Sequence, residues 1–210
     1  MLYGPFPINC MEDEAMAFTN LESKQIHCKV LYVGAEGAGV TSNLQSILEH
    51  TKYAENRAYI SREDEIDPFF EFLPLSMGRV ADFDVRLHLY AMSIKKLYRS
   101  SIPVLLRGLD AIVYVLDSRL SKTLANIQLL EDLRNIFEDL GEDTKHLATV
   151  FQYNWRDHPE AMPVELLRAE FNPAMIADVE SAAALGVGTM ETLETLGGLL
   201  IDQLSQQHGK

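Results

Sequence analysis

The clearest chemical pattern in the sequence lies between residues 28 and 48, in the segment CKVLYVGAEGAGVTSNLQSIL. Gly34 and Gly39 have the spacing of a phosphate-binding loop, G-x-x-x-x-G-K-[ST], whose backbone N–H groups surround phosphates. That loop continues with a lysine and a hydroxyl residue that binds Mg²⁺. Here the two positions are Val40 and Thr41. The sequence therefore predicts a loop that has the shape and the metal ligand, but not the cation.

A second polar group follows the apolar run LATVFQY over 147–153, which predicts a buried strand. Asn154 and Asp157 come directly after it, in the N-x-x-D pattern with which Ras-like GTPases read guanine. In this pattern the carboxylate, here that of Asp157, pairs with two N–H groups on one edge of guanine, a contact that adenine cannot supply. Trp155, the only tryptophan, lies between them. It either stacks on a base or fills an empty pocket, and we favour the second.

Strands and helices alternate along the chain, which predicts an α/β fold with a mostly parallel sheet covered on both faces. In the fourth predicted strand, DAIVYVLD, the continuous apolar run is typical of a central parallel strand. The second and third predicted strands are separated by Ser76 to Arg79 and read as an antiparallel hairpin. The predicted strands cover 28–34, 69–75, 82–92, 110–117, 147–153 and, more weakly, 174–181.

Helices are predicted between these strands. One follows the loop over 41–50, and Pro163 is placed to begin a short one. Two apolar stripes at helical spacing are expected to pack on the sheet. They comprise Leu120, Leu124, Ile127, Leu130, Leu133 and Phe137, and then Met190, Leu193, Leu196, Leu200 and Leu204. Ligands of such sheets bind at the carboxyl ends of the strands, where both polar groups fall.

Composition narrows the class of function. The 210 residues carry a net charge of -13, which argues against nucleic acid and anionic membranes as partners. Cys10 and Cys28 have no metal or disulfide spacing, and no apolar run is long enough to span a membrane, so we expect a cytoplasmic protein. We divide the chain into a loosely ordered arm over 1–20 and one domain over 21–210. The polar connection 52–68 is a candidate functional loop.

From about Gln25 to Leu204 the sequence resembles the MglA branch of bacterial Ras-like small GTPases. The resemblance rests on five segments in order: VLYVGAEGAGVTSNLQ, FFEFLPLSMG with FDVRLHLY, LRGLDAIVYVLDS, FQYNWRD and GVGTMETL. It implies a Ras-like P-loop fold with a six-stranded sheet, one strand of which is antiparallel. It also implies GTP or GDP with Mg²⁺ as ligand, and a roadblock-domain (MglB-like) protein or another polarity or motility protein as partner.

Carried over by position, the resemblance gives a half-retained site. The guanine-reading pair is Asn154 and Asp157, the base-contacting alanine is Ala182 or Ala183, and Thr41 is the metal ligand. The loop lysine corresponds to Val40. The remaining replacements fall in the two switches: Asp67 for the first-switch threonine, Ile66 for the neighbouring arginine, and Ser93, Ile94 and Lys95 for the second-switch P-G-Q.

These replacements predict weak or absent nucleotide binding and no catalytic residue. A lysine about 4 Å from a phosphate charge is worth about 4 kcal/mol at an effective dielectric of about 20. Its loss lowers affinity by roughly two to three orders of magnitude. We therefore expect a pseudo-GTPase that acts as a nucleotide-independent interaction module in cell polarity or motility. Two alternatives stay open: a slow but genuine GTP/GDP switch, and a dinucleotide-binding Rossmann protein suggested by the glycine spacing.

The expected docking face covers about 58–80 and 91–103, which correspond to the switch region and adjoining strand of the resembled family. Within it, the segment REDEIDPFFEFLPL places four acidic residues beside a Pro-Phe-Phe run. Acidic side chains of this kind steer a basic partner, and a buried aromatic anchors it. The acidic residues are Glu63, Asp64, Glu65 and Asp67.

Overall fold

A computed structural model of the chain describes residues 18–51, 71–93 and 106–208. The strands of its sheet are β1 (Phe18–Asn20), β2 (Gln25–Gly34), β3 (Glu71–Val80), β4 (Phe83–Ser93), β5 (Ala111–Asp117), β6 (Ala148–Asn154) and β7 (Asp178–Glu180). The helices are α1 (Val40–His50), α2 (Thr123–Leu140), α3 (Val164–Phe171) and α4 (Thr189–His208). Residues 1–17 of the arm predicted over 1–20, the connection 52–68 and the switch positions 66, 67, 94 and 95 lie outside the described residues. The last three residues of that predicted arm form β1.

The sheet has the strand order β3-β4-β2-β5-β6-β7, with β2, β4, β5, β6 and β7 parallel and β3 antiparallel to β4. The predicted α/β fold with a mostly parallel sheet is confirmed. One strand was not predicted, so the sheet has seven strands instead of six. The extra strand, β1, pairs antiparallel with Gln25–His27, on the part of β2 that precedes its pairing with β5 at Val30. Three residues are too few to show an alternating pattern.

The hairpin of β3 and β4 turns later than predicted. The glycine at 78 suggested a turn over 76–79, but β3 continues through it to Val80. The pairing register shifts between Ser76 and Gly78, and Gly78 has φ 118, so the glycine serves a β-bulge. The turn itself is at Ala81 and Asp82, between the two strands.

Each face of the sheet has its own apolar core. Side chains of α1 and α4 pack on one face, and those of α2 and α3 on the other. The stripe of α4 is confirmed, with Leu196, Leu200 and Leu204 buried. The stripe predicted for α2 is wrong at its start. Leu120 and Leu124 are 66% and 80% exposed, because the buried face of this helix follows Asn126, Leu129, Leu133 and Phe137 instead.

Two smaller elements also differ from the sequence predictions. The sixth predicted strand, over 174–181, is reduced to the three residues of β7. Pro163 is the residue before α3, not its first residue, and its carbonyl accepts hydrogen bonds from the first turn. Among the described residues, no helix is long and apolar enough to cross a membrane.

Asp110 joins β5 to β2 at the edge of the sheet opposite the glycine loop. Its carboxylate accepts a hydrogen bond from the Lys29 backbone N–H, and its own N–H donates to the Lys29 carbonyl at 2.9 Å. The residue is 3% exposed, and Oδ1 has no hydrogen-bond partner among the described residues. Burial raises the pKa of the Asp110 carboxyl from 3.8 to about 7, although the Lys29 N–H and charge oppose this.

The raised pKa of Asp110 predicts a pH-dependent stability. Between about pH 4 and pH 7 the unfolded chain has released the proton and the native chain keeps it, so stability falls as pH rises. Asp110→Asn keeps an acceptor and does not titrate. Urea denaturation at about pH 5.5 and about pH 7 gives the decrease in the free energy of unfolding over that range. This decrease should be roughly 1–2 kcal/mol smaller in the variant than in wild type. Asp139→Asn, an exposed control on α2, should follow wild type. Equal slopes in all three proteins would contradict the assignment.

Candidate nucleotide site

The glycine loop connects β2 to α1 at the carboxyl edge of the sheet. Gly37 and Gly39 have φ 81 and φ 101, in the left-handed region that favours glycine. Gly34 is enclosed: a Cβ there would lie 2.8 Å from the Val115 carbonyl oxygen and 2.9 Å from the Ala38 Cβ. Glycine is thus required for a different reason at each position of the motif. At Gly34 the reason is close packing, and at Gly39 it is the backbone conformation.

Three consecutive carbonyl groups of the loop, at residues 37–39, each accept a hydrogen bond from a side chain. Trp155 Nε1 donates to the first at 2.9 Å, and Asn154 Nδ2 to the second at 2.7 Å. Asn43 Nδ2 donates to the third at 3.0 Å. The carbonyls of this stretch are therefore satisfied by side chains of the protein itself.

Asn43 is itself held by a buried network. Its side-chain amide and that of Gln152 exchange two hydrogen bonds of 2.8 Å. Gln152 Nε2 also donates to Thr192 Oγ1 at 2.8 Å, and all three residues are fully buried. This network links α1, β6 and α4 directly beneath the loop. A network whose members are all satisfied fixes one arrangement of the elements it joins.

Val40 and Thr41 occupy the first turn of α1. Val40 is 3% exposed and belongs to the core between α1, α4 and the sheet. Its Cγ1 would lie 3.1 Å from a Cβ built on Gly34, so the side chain packs back beneath the loop. The position of the phosphate-binding lysine is therefore part of the apolar core. Thr41 is partly buried.

Asn154 connects the loop to the segment after β7. Its Nδ2 binds the Ala38 carbonyl, and its Oδ1 accepts a hydrogen bond from the Ala183 N–H at 2.8 Å. The Ala182 N–H donates instead to the Val187 carbonyl at 3.1 Å. The structure thus brings Asn154, the loop and both candidate alanines together. Asp157 is exposed and makes no hydrogen bond or ion pair with the described residues.

Trp155 lies between the loop and a cation that the sequence did not single out. Its indole donates to the Gly37 carbonyl, and the guanidinium of Arg119 lies 4.2 Å from its ring centroid. Arg119 Nε donates to Asp117 Oδ1 at 2.9 Å, and Nη2 binds the other carboxylate oxygen. These hydrogen bonds raise the pKa of Arg119. Asp117 is 2% exposed and ends β5, next to Asn154 in β6.

No family model matches the chain. The chain is similar to the Mutual gliding-motility protein MglA of Myxococcus xanthus (strain DK1622), with 37% identity over 193 residues. The alignment covers 91% of this chain and 99% of that protein. The chain belongs to the MglA branch of the bacterial Ras-like small GTPases. This agrees with two features of the structure. The glycine loop lies at the carboxyl edge of the sheet, and β3, the first described strand after α1, is antiparallel to β4.

Membership of the MglA branch answers one of the alternatives drawn from the sequence. A dinucleotide-binding Rossmann unit requires a parallel second strand directly after the first helix. The next described strand after α1 is β3, which is antiparallel to its neighbour β4. The Rossmann alternative is therefore wrong.

The MglA-type loop fits a phosphate group in shape and not in charge. The two left-handed glycines, the bound carbonyls and the start of α1 produce the backbone of a phosphate cradle. Thr41, in the first turn of α1, would hold Mg²⁺ together with the phosphate oxygens. The buried Val40 leaves the phosphates without the lysine charge.

Three contributors to this site were missed in the sequence: Asn43, Asp117 and Arg119. Asp117 is the last residue of β5 and Arg119 comes shortly after it, so both could have been found, because the ends of neighbouring parallel strands meet at one edge. Asn43 is a polar residue on the buried face of α1, which suggests a buried hydrogen-bond partner. The partner itself, Gln152, is 109 positions away and could not be predicted without the fold.

The contact between Gly39 and Asn154 gives a stability prediction. A Cβ at Gly39 would collide with Asn154 Nδ2, whereas a Cβ at Gly37 would meet nothing within 4 Å. Both glycines have positive φ, so alanine costs about 1–2 kcal/mol of backbone strain at either. Gly39→Ala should destabilise the fold by at least about 1 kcal/mol more than Gly37→Ala, because it also displaces a buried amide. Urea denaturation measures both, and equal losses would contradict a clash specific to Asn154.

Proposed function

We propose that this chain is a pseudo-GTPase of the MglA branch: it binds proteins of a gliding-motility or cell-polarity system, with little or no nucleotide turnover. The motility context follows the name of its relative, the Mutual gliding-motility protein of Myxococcus xanthus. The fold alone does not assign activity, so the proposal depends on the site.

The observation that carries the proposal is the burial of Val40. GTP brings about four negative charges to the loop, and the lysine of a phosphate loop meets the β- and γ-phosphates directly. Here that position is 3% exposed and packs into the core between α1 and the sheet. Glu36, an exposed acidic residue within the loop, adds a charge of the wrong sign. Both features oppose the binding of a triphosphate.

The switch residues support the absence of turnover at the level of sequence. Ile66 has no charge with which to stabilise a transition state, and Ile94 replaces the glycine of the second switch. Lys95 stands where a glutamine orients the attacking water in the family. Asp67, which corresponds to the first-switch threonine of the family, carries a negative charge in place of a neutral hydroxyl.

A second candidate, a slow but genuine GTP/GDP switch, is favoured by the preserved loop shape. The carbonyls of residues 37–39 are all bound by side chains, and Thr41, Asn154 and Asp157 are retained. Backbone N–H groups and a helix N-terminus still attract phosphate without a lysine. Nucleotide affinity separates the two candidates.

Titration calorimetry of GTP and GDP with Mg²⁺ should give Kd values above about 10 μM, because the site lacks its cation. Before the titration, a separate sample of the purified protein should be denatured, and ion-pair chromatography of that sample detects any nucleotide carried through purification. Nanomolar affinity for either nucleotide would support the genuine switch and reject the pseudo-GTPase.

A matched pair of variants shows whether charge is the missing element. Val40→Lys combined with Asp67→Thr restores a cation and removes an anion, and should tighten GTP binding by at least about tenfold. Val40→Met with Asp67→Thr has a side chain of similar length without the charge, and should gain less. GTP hydrolysis should stay slow in both, because Ile66, Ile94 and Lys95 are unchanged.

We further propose that a roadblock-domain protein, or another protein of the same system, docks on 58–80 and 91–103 without requiring GTP. The acidic residues of 63–67 would steer a basic surface, and the Pro-Phe-Phe run would supply an aromatic anchor. The pseudo-GTPase proposal requires an interaction of this kind, since a domain without turnover acts through its surfaces.

Charge reversal tests the docking face. Glu63→Lys/Asp64→Lys/Glu65→Lys should weaken binding of a purified roadblock-domain partner from the same organism by about tenfold or more, mainly by slowing association. Surface plasmon resonance with and without GTP measures both rates. Glu131→Lys/Glu138→Lys/Asp139→Lys makes the same change of net charge at exposed positions of α2 and should leave binding unchanged. Equal binding by both variants would place the docking surface elsewhere.

A further inference from the structure

Trp155 is held in a conformation that a tryptophan does not adopt readily. Its φ is 65, in the left-handed region where a bulky residue is strained. Such strain persists only where surrounding contacts over-determine the backbone. The indole is fixed on two sides, through its N–H by the Gly37 carbonyl and across its ring by Arg119. A third contact comes from His158, whose ring meets the indole edge at 6.4 Å between centroids.

Arg119 is fixed more firmly than a surface arginine. Its fork binds both carboxylate oxygens of Asp117, and its backbone N–H donates to Asp117 Oδ1 at 3.0 Å. Asp117 is anchored by Asn126, whose Nδ2 donates to its carbonyl at 2.9 Å and whose Oδ1 accepts from its N–H at 3.2 Å. The carboxylate and Asn126 are both buried. A planar guanidinium in this position presents a flat cationic face to the indole.

These contacts form one chain from the interior to the loop: Asn126, Asp117, Arg119, Trp155 and the Gly37 carbonyl. Gly37 is the outermost of the three bound carbonyls. Its neighbours are held by Asn154 and Asn43, which are buried, whereas Trp155 is partly exposed and depends on Arg119 for its position. The hold on the loop is therefore least secure at Gly37.

We propose that Arg119 is a positioning residue of this site: it fixes Trp155 on the Gly37 carbonyl, and this latch keeps the phosphate loop in shape without nucleotide. The inference rests on the proposed function only in taking the nucleotide-free protein as the working state.

Hydrogen exchange of the nucleotide-free protein tests the latch directly. In Arg119→Gln, the Ala38 N–H, which donates to the Ala35 carbonyl at 3.0 Å within the loop, should exchange at least about tenfold faster than in wild type, because the loop opens locally. Arg156→Gln is the matched control. It removes another arginine–carboxylate pair of the same neighbourhood, with Glu180 at 2.7 Å, and among the described residues it is Arg119 whose guanidinium lies over the indole ring. It should leave exchange at Ala38 unchanged.

Fluorescence gives an independent reading, since Trp155 is the only tryptophan. Acrylamide should quench its emission more strongly in Arg119→Gln than in wild type or Arg156→Gln. Arg119→Lys keeps the charge but not the fork or the flat face, so it should resemble the glutamine variant. Trp155→Phe, which can stack on Arg119 but cannot donate to Gly37, should speed loop exchange as Arg119→Gln does. Combining it with Arg119→Gln should add little further.

Unchanged loop exchange in Arg119→Gln or in Trp155→Phe would overturn the latch. The hydrogen bonds from Asn154 and Asn43 would then hold the loop without it. Faster exchange by the same factor at Ala38 and across the whole sheet would also overturn it, since Arg119 would then contribute only to global stability. None of these readings involves nucleotide. A protein that binds GTP tightly would refute the pseudo-GTPase and could still show the latch, so the two proposals fail separately.

Discussion

The structure of the site depends on one requirement: the carbonyl groups of a tight glycine loop need donors. A loop that turns its N–H groups toward a ligand turns carbonyls toward the protein, where each must be satisfied. In this chain the donors for residues 37–39 are side chains of Trp155, Asn154 and Asn43. Asn154 is the last residue of β6, Trp155 comes directly after it, and Asn43 lies on α1. The parallel alignment of β2, β5 and β6 is what brings them to one edge.

Shape and charge are separable properties of a phosphate loop, and this chain shows the separation. The shape comes from left-handed glycines, from the close contact at Gly34 and from side-chain donors, none of which needs a ligand. The charge comes from a single lysine that here is Val40. A chain can therefore belong to the MglA branch by sequence and fold and still differ in what its loop binds, because affinity for phosphate follows the charge.

The sequence predicted the fold well where a pattern was long and regular. Continuous apolar runs located β2, β5 and β6, and glycine spacing located the loop. It failed where one residue type has two structural uses. Gly78 indicated a turn but forms a bulge, and leucines at helical spacing predicted a buried face at Leu120 and Leu124 that solvent covers. The site was predicted as a set of carried-over positions. The bonds that assemble it, such as Asn43 with Gln152 or Arg119 with Trp155, join distant residues and require the fold.

The replacement of lysine by Val40 also changes what the empty loop costs. A lysine at this position would add a positive charge beside the N-terminus of α1, which the helix dipole already makes positive. A bound anion would offset that charge. A valine there adds no charge and extends the apolar core from α1 to the base of the loop. The residue on which the proposal of weak nucleotide binding depends therefore also adds apolar packing beneath the loop. Together with the side-chain donors at residues 37–39, this packing would hold the loop in a domain that acts through its surfaces, as the pseudo-GTPase proposal requires.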